Sequence, residues 1–460
     1  MTGPSNKFGT YTPPPPPKGT FDIAIGVFFD GTLNNKTNTD ERKKNTEAYK
    51  DYGEDPDDNN SYNNDWSNVA RLWDAYDINS SVYVEGIGTL DKQDDVDDGF
   101  MYGEKDTGIV AKVKLGSERI AKRAMKIKTK KGPDFEINTL TIDVFGFSRG
   151  AAAARHFVYQ ASKSGQKVPY IAPYGYLGAE LEKAGVKYKL LKIRFLGLFD
   201  TVSSYSEDVW TTSPDFSNDV EQLKLDEITK AKKIVHFVAE NEHRENFDLT
   251  NVAVDKKIKG VKQAPVYYGI EKKFPGVHCD IGGGYENGTE KKDEIINGGE
   301  KILLKRKEEL VAKGWFKEEQ VSVHDYKRKL SSERVLKKTY SYIPLHFMAD
   351  YGIKNGLIID EDKIKKENYS IEKDKLLVKI KARLKAYVMG DGKPYDFKSF
   401  TKIHEQYKGA KIPEQRLTDY QKELEDQKNL RTLRNEYLHW SADYDWAGMD
   451  PRPDGVRVKH

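Results

Sequence analysis

A serine in a glycine-bounded turn is the first group in this sequence that could do covalent chemistry. Gly146-Phe147-Ser148-Arg149-Gly150 has the spacing G-x-S-x-G, after an apolar run and before an alanine-rich one. That spacing is typical of a nucleophilic serine in a sharp strand-to-helix turn, where the glycines prevent clashes with the neighbouring chain. The amino end of the helix would point at the serine and favour an anion there. We therefore predict that Ser148 attacks an acyl carbon.

A serine hydroxyl needs a base to take its proton, and that base needs an acid to orient it. In hydrolases with this turn, the order along the chain is serine, acid, histidine. Asp200 follows the apolar run "IRFLGLF" and is the predicted acid, although an aspartate there could instead cap the next helix. His278, in "FPGVHCDIGGGY", is the predicted base because the glycines after it give a loop that can present it.

Other residues compete for these two roles. His439 is the second choice for the base, and His236 and His243 come after it. Asp280 lies two residues after the predicted base, so it could orient that loop or replace the predicted acid.

The stretch "GVFFDGTLNN", residues 26–35, resembles at first the Asp-Gly-Thr motif of a phosphatase. Those phosphatases carry a nucleophilic aspartate two positions earlier, where this chain has Phe28, which cannot attack phosphorus or hold magnesium. The stretch instead predicts a tight turn at the carboxyl end of a buried strand, the edge where open α/β sheets bind ligands. An acyl-transfer site needs two backbone donors for its oxyanion. We predict the N–H of Arg149 as one donor and the turn at Asp30 and Gly31 as the other.

Short apolar runs rich in branched residues are typical of strands that are covered on both faces. In this sequence they alternate with helix-like stretches, which indicates a parallel sheet. The predicted strands are residues 21–29, 82–86, 137–145 and 191–199, with 266–270 as a further candidate. The predicted fold class is therefore α/β, a mostly parallel sheet flanked by helices, with a helical C-terminal region.

Composition divides the chain into three parts. Residues 1–18 contain the run Pro13–Pro17 and are predicted to be an extended tail, either a spacer or a docking peptide. Residues 19–285 are predicted to form the catalytic core. Residues 286–460 are rich in Lys and Glu, and we predict a mainly helical accessory or lid region packed on the core.

Bulk composition excludes several classes of protein. Among 460 residues, 76 are Lys or Arg and 73 are Asp or Glu, and the net charge of +3 is too small to indicate a nucleic-acid partner. No apolar run reaches the roughly 20 residues that span a bilayer. The N-terminus lacks the layout of a secretory signal, so we expect synthesis in the cytoplasm and no Sec-type export.

Cys279 is the single cysteine, and a nucleophilic role for it would leave the serine turn without a use. No Cys/His zinc spacing occurs, so neither a metal nor a cofactor is predicted.

Several segments together resemble a known family, the type VI secretion phospholipase effectors of the first lipase family. The segments are "VFFDGTLNN", "YVEGIGT", "GFSRGAAAAR", "LGLFDTVSS", "VHFVAENEHRENF" and "FPGVHCDIGGGY", and they occur in the family's order. The resemblance covers roughly residues 20–350, with a fainter trace near residue 440. The chain departs from the family at Asn241, where an acidic residue is expected.

The resemblance implies an α/β-hydrolase fold and hydrolysis of fatty acyl esters in the phospholipids of a membrane. It also implies delivery by a type VI machine into the periplasm of a rival bacterium, with a spike or tube protein as carrier and a cognate immunity protein. The family's Ser-Asp-His triad maps onto Ser148, Asp200 and His278. Two alternatives stay open. One is another serine esterase or thioesterase with the same triad, and the other is an inactive hydrolase-like adaptor.

Late apolar segments bear on how such an enzyme would reach lipid. Residues 372–388 have a helical apolar period and are predicted to be an ordinary amphipathic helix, or else a helix that rests on an anionic membrane surface. Residues 314–316 and 342–351 could form a lid or a lipid-facing wall, but we favour core packing for both.

Overall fold

The computed structural model describes most of the chain. The described residues are 19–55, 60–96, 107–163, 175–204, 216–254, 257–258, 261–262, 266–267, 269–324, 326–408, 414–444, 449–453 and 455–460. The predicted tail, residues 1–18, lies outside them.

The strands fall into one large sheet, one small sheet and two short ribbons. They are β1 (Thr20–Phe29), β2 (Ser81–Val84), β3 (Glu136–Phe147), β4 (Tyr188–Phe199), β5 (Ala231–Ala239), β6 (Ala253–Val254), β7 (Lys257–Ile258), β8 (Val261–Lys262), β9 (Val266–Tyr267), β10 (Ile270–Phe274), β11 (Gly288–Asn297), β12 (Val321–His324) and β13 (Lys329–Leu336). The large sheet has six strands in the order β10-β5-β4-β3-β1-β2, and every neighbouring pair is parallel. This is the arrangement that the apolar runs predict.

Helices cover both faces of the large sheet, because successive residues of each strand point to opposite sides. In β1, for example, Val27 and Phe29 join one buried cluster while Phe28 joins the other. One face packs against the helices Ile109–Lys131, Arg149–Ser162 and Gly175–Lys183. The other face packs against Asn68–Ala75, Tyr342–Lys354 and Lys375–Val388. The remaining α-helices are Lys36–Lys43, Glu47–Tyr52, Phe216–Gln222, His278–Gly282, Glu300–Ala312, Phe400–Gln406 and Glu414–Glu436.

The strand order reverses between β1 and β3. The chain runs from β1 to β2 on one side and then crosses to β3 on the other side of β1. The loops that leave the carboxyl ends of β1 and β3 therefore diverge, and a crevice opens between them, which is where parallel α/β sheets place ligands. The turn at Asp30 and the turn at Ser148 both lie at this point.

Two strands differ from the sequence prediction. Val266–Tyr267 pairs antiparallel with Ala253–Val254 in a ribbon, and the sheet strand begins only at Ile270. Ala231–Ala239 was not predicted as a strand, because lysines interrupt its apolar run at the exposed end, yet it occupies an interior position in the sheet.

The region after residue 286 contains more than the helices expected there. β11, β13 and β12 form an antiparallel sheet. The Lys- and Glu-rich sequence of β11 favours a helix locally, but its pairing with β13 overrides that propensity. The helix Tyr342–Lys354 shares a core with the large sheet, so this region packs directly on it.

The late apolar segments lie inside the protein. In the helix Tyr342–Lys354 most side chains are buried, and Trp315 and Phe316 are buried too, as the core interpretation predicts. The apolar face of Lys375–Val388 is also turned inward, so it cannot rest on a membrane surface. No helix in the described part of the chain is long and apolar enough to cross a bilayer.

The helix Lys375–Val388 offers a direct test of this packing. Leu384 is fully buried and Val378 is 44% exposed on the same helix. We expect Leu384→Ala to lower the free energy of unfolding by about 2–5 kcal/mol, because it leaves a cavity. Val378→Ala should change it by no more than about 0.5 kcal/mol. Urea denaturation followed by circular dichroism measures both, and equal effects would contradict the inward orientation.

Candidate active site

Ser148 lies in a strained turn between β3 and the helix Arg149–Ser162. Its backbone has φ 57° and ψ −129°, a conformation that is costly for any residue with a Cβ. The N–H of Ser148 donates to the carbonyl of Phe199 at 3.1 Å, which ties the turn to the end of β4. The helix begins at the next residue, so its amino end points at the serine. This is the geometry that the G-x-S-x-G spacing predicts.

The two glycines of the motif leave room that a side chain would fill. A Cβ at Gly150 would lie 2.1 Å from the carbonyl oxygen of Asp30, and one at Gly146 would lie 2.4 Å from that of Gly150. The first turn of the helix therefore lies directly against the end of β1. The same contact brings the Asp30 turn beside Ser148.

Asp200 and His278 form a hydrogen-bonded pair at the same edge of the sheet. Nδ1 of His278 lies 2.6 Å from Oδ2 of Asp200, and both residues are buried. The His278 ring lies 4.6 Å from the ring of Phe147, the residue before Ser148. The N–H of Val202 donates to the Ser148 carbonyl at 3.4 Å, so the loop after Asp200 also reaches the serine turn. The structure thus brings the three predicted residues to one place.

The charge of Asp200 is strongly compensated. Oδ1 accepts the N–H of Ala239 at 2.8 Å, and the guanidinium of Arg457 donates to both carboxylate oxygens, at 2.7 and 3.0 Å. Burial alone would raise the pKa of Asp200, but the charge of Arg457 and the bond from His278 lower it to about 2. The carboxylate is therefore ionised at neutral pH.

His278 is held neutral by its surroundings. Burial lowers its pKa below the usual 6.5, against the opposing effect of Asp200. An ionised Asp200 accepts only, so Nδ1 of His278 carries the proton and Nε2 is left as an acceptor. A neutral imidazole with a free acceptor nitrogen is the form that a general base requires.

A second ion pair supports the backbone at the start of the helix His278–Gly282. The N–H of His278 donates to Oε2 of Glu242 at 3.1 Å, and Arg244 donates to both oxygens of Glu242 at 2.9 and 3.0 Å. The Arg244 guanidinium stacks 3.3 Å from the ring centroid of Phe247, and that ring packs edge-on against His278 at 5.1 Å. Asn241 exchanges hydrogen bonds with Gly276, through its backbone and its side chain. This segment therefore has a positioning role despite its departure from the family pattern.

The alternative residues have other partners. Nδ1 of His439 lies 2.7 Å from Oδ1 of Asp280, and its ring stacks on Tyr285 at 3.7 Å. Asp280 also accepts the N–H of Val277 at 2.9 Å. His278 begins the short helix His278–Gly282 and does not lie on the predicted loop; Asp280 orients the start of that helix, and His439 pairs with Asp280 and not with Asp200.

The two other histidines are also engaged elsewhere. His236 lies within β5, where Nε2 accepts the N–H of Thr201 and Nδ1 faces Glu271, each at 3.1 Å. Nδ1 of His243 lies 3.1 Å from the carbonyl of Asn241.

The predicted donors at the Asp30 turn are already used. The N–H of Asp30 donates to the carbonyl of Val84 at 3.0 Å, and the N–H of Gly31 donates to Oδ1 of Asp30 at 2.8 Å. Neither can face a substrate oxygen in this conformation. The Asp30 carboxylate also accepts the hydroxyls of Ser67 and Tyr83, and burial raises its pKa to about 6.

Thr32 is the next residue of this turn, and it contacts the serine motif directly. Its hydroxyl oxygen accepts Nε of Arg149 at 2.7 Å. Its backbone N–H makes no hydrogen bond to any residue that the structure describes. Sequence reasoning missed this residue because it stopped at the Asp-Gly pair.

The residues that the structure describes support neither a cysteine nucleophile nor a metal centre. Burial raises the pKa of the Cys279 thiol to about 12, so its thiolate is scarce at neutral pH. Within the described ranges, no group of three or more His, Cys, Asp or Glu side chains could hold a metal ion.

Comparisons with known proteins give two kinds of match. The family described as "T6SS, Phospholipase effector Tle1-like, catalytic domain" matches residues 162–301. The solved "Structure of the Tle1 effector bound to the VgrG spike from the Type 6 secretion system" covers 100% of this chain and 98% of its own, at 21% identity and a TM-score of 0.56. The "Crystal structure of an uncharacterized protein from Pseudomonas aeruginosa" covers 81% of this chain and 51% of its own, at 18% identity and a TM-score of 0.41. None of the curated proteins matches the sequence.

These matches confirm the resemblance to the type VI secretion phospholipase effectors, and the α/β fold of the Tle1 structure confirms the predicted fold class. The family match includes Asp200 and His278 but begins after Ser148. It supports a hydrolase.

The close contact at Gly150 gives a test of the serine turn. We expect Gly150→Ala to lower the free energy of unfolding by about 1–3 kcal/mol, because the added methyl group meets backbone that cannot move independently. Gly288→Ala is the matched control, since a Cβ there meets nothing within 4 Å. Urea denaturation of the two variants measures the difference, and equal stability would refute the close approach of helix and β1.

Proposed function

We propose that this protein is a type VI secretion effector that hydrolyses fatty acyl esters of glycerophospholipids, with Ser148 as the nucleophile. The observation that carries the proposal is the 2.6 Å bond between His278 and Asp200 beside the strained turn of Ser148. A buried carboxylate, a neutral imidazole and a serine at a helix amino end are the parts that acyl transfer needs.

The first half of the proposed reaction forms an acyl-enzyme. Nε2 of His278 takes the proton of Ser148 as the serine oxygen bonds to the ester carbonyl carbon. Asp200 holds the imidazole tautomer and stabilises the imidazolium. The bond between carbon and the alcohol oxygen then breaks, and His278 gives its proton to the departing lysophospholipid.

In the second half, water attacks the acyl-serine ester. His278 takes a proton from the water and returns one to Ser148, so that a free fatty acid leaves and the enzyme is restored. Because His278 is neutral before each half of the reaction, it can begin each half as a base.

The proposed oxyanion hole consists of the backbone N–H groups of Arg149 and Thr32. Arg149 directly follows the nucleophile, at the start of the helix. Thr32 replaces the earlier prediction of Asp30 and Gly31, whose N–H groups already have partners. The bond from Arg149 Nε to the Thr32 hydroxyl joins the two turns that carry these donors, which supports the pairing.

The route to the substrate follows from the same comparison. The Tle1 structure was solved with a VgrG spike. We propose that a spike or tube protein likewise carries this chain, that the target compartment is the periplasm of another bacterium, and that an immunity protein protects kin. Phospholipid in the target membrane would be the substrate.

Replacement of the nucleophile tests the proposal. Ser148→Ala should release fatty acid from phospholipid vesicles at least about 10³-fold more slowly than the parent, because the covalent route is removed. Ser322→Ala, at an exposed serine, is the control and should keep the parental rate. Mass spectrometry of the released fatty acid and lysolipid gives the readout.

Each alternative outcome points elsewhere. Release by Ser148→Ala at the parental rate would refute the nucleophile. If Ser148 reacts with a fluorophosphonate probe but no phospholipid is cleaved, the protein is another esterase or thioesterase. If the probe does not react at all, the protein is an adaptor.

The pH dependence should follow His278. Since its pKa lies below 6.5, protonation removes the base only on the acid side, and kcat/KM should fall as pH drops with a midpoint below pH 6.5. Asp200, with a pKa of about 2, stays ionised throughout. Asp30 titrates near pH 6, so Asp30→Asn is the control and should leave the acid limb in place. If the acid limb disappears in Asp30→Asn, then the group that titrates is Asp30 and not His278.

A further inference from the structure

Arg457 forms an ion pair with the predicted acid, Asp200. It comes from a segment far along the chain, its side chain is 5% exposed, and its guanidinium donates to both oxygens of Asp200. Nε of the same guanidinium donates to the carbonyl of Phe247 at 2.5 Å. Three of its donor groups are thereby fixed, which leaves the planar group one orientation.

Residues 449–453 and 455–460 hold this arginine through a series of contacts with residues 243–251. The N–H of Leu249 donates to the carbonyl of Val458, and the N–H of Asn251 donates to that of His460, each at 2.9 Å. The N–H of Arg452 donates to the carbonyl of His243 at 2.8 Å, and its side chain pairs with Asp248. Lys459 forms a parallel bridge with Leu249, and beside it Arg457 is buried while Val456 and Val458 are exposed.

We propose that Arg457 is a positioning residue for acyl transfer, whose guanidinium fixes the Asp200 carboxylate in the orientation from which it holds His278. A carboxylate can rotate about its bond to Cβ, and Asp200 has a strained backbone of its own, with φ 42°. A two-pronged donor locks that rotation, because both oxygens must stay in the plane of the guanidinium. This inference rests on the proposed function, since it assigns a role within that reaction.

The positive charge of Arg457 also partly neutralises Asp200, which weakens the attraction between Asp200 and the imidazolium that forms on His278 during the reaction. Without it, Asp200 would attract that imidazolium more strongly, and His278 would become more basic. Glu242 and Arg244 also act on the pKa of His278, while the thiol of the neighbouring Cys279 is neutral, and among the described residues no hydrogen bond joins any of the three to the Asp200 carboxylate.

The test compares Arg457→Met with Arg457→Lys and with Lys459→Met. Lys459 is an exposed cation of the same segment, so its replacement removes an equal charge without touching Asp200. We expect Arg457→Met to lower kcat about 10- to 100-fold with KM nearly unchanged, as misplacement of a catalytic group by about 1 Å does. The acid limb of the pH profile should move to higher pH. Arg457→Lys should show smaller changes in the same direction, and Lys459→Met should show none.

A second readout does not depend on activity. The ring nitrogens of His278, labelled with ¹⁵N-histidine and assigned with His278→Asn, should titrate at higher pH in Arg457→Met than in the parent. If His278 titrates in that variant as it does in the parent, the inference is overturned. It is also overturned if kcat falls only in proportion to the fraction of folded protein and the pH profile does not change. If Arg457→Met does not fold, Arg457→Lys decides by the same two measurements. A parent that cleaves no phospholipid would refute the proposed function but leave the ¹⁵N result interpretable.

Discussion

The buried negative charge of Asp200 determines which groups must lie around it at this end of the molecule. An ionised carboxylate away from water is costly unless hydrogen bonds and an opposite charge surround it. Here an amide, an imidazole and a guanidinium supply that surrounding, and each comes from a different part of the chain. The end of β5, the helix that follows β10 and residues 455–460 meet at this carboxylate. The carboxylate therefore organises structure as well as chemistry.

The supporting shell is built in the same way. Glu242 is a second buried carboxylate, and it is satisfied by Arg244, by the N–H of His278 and by the hydroxyl of Ser441. Asp280 is a third, with Val277 and His439 as its partners. The start of the helix His278–Gly282 is thus held between acidic side chains that accept its backbone N–H groups. Such fixed supports are what keep a reacting group in place within a few tenths of an ångström.

The sequence was informative where local patterns determine structure. The G-x-S-x-G spacing, the apolar runs of β1, β3 and β4, and the serine-acid-histidine order led to Ser148, Asp200 and His278 and to the parallel sheet. These features are local because strand burial and a strained turn need particular residues at short spacing.

What escaped the sequence depends on distant contacts. Nothing near Arg457 in the sequence indicates that it meets Asp200. Lys232 and Lys233 interrupt the apolar run of Ala231–Ala239, so its sequence does not show the pattern of an interior strand. The Lys- and Glu-rich β11 has the composition of a helix, and only its partner β13 makes it a strand. The occupied N–H groups of Asp30 and Gly31 could likewise be seen only in three dimensions.

The pairing of Arg457 with Asp200 joins residues 257 positions apart. A contact of such long range forms only after the intervening chain has been ordered, since closing so large a loop is entropically unfavourable until other contacts offset it. Partly folded forms of this protein would therefore hold a misaligned carboxylate even where β3 and β4 are already paired. With the roles proposed for Asp200 and Arg457, the site would become competent only once this long-range contact has closed, as a late event of folding.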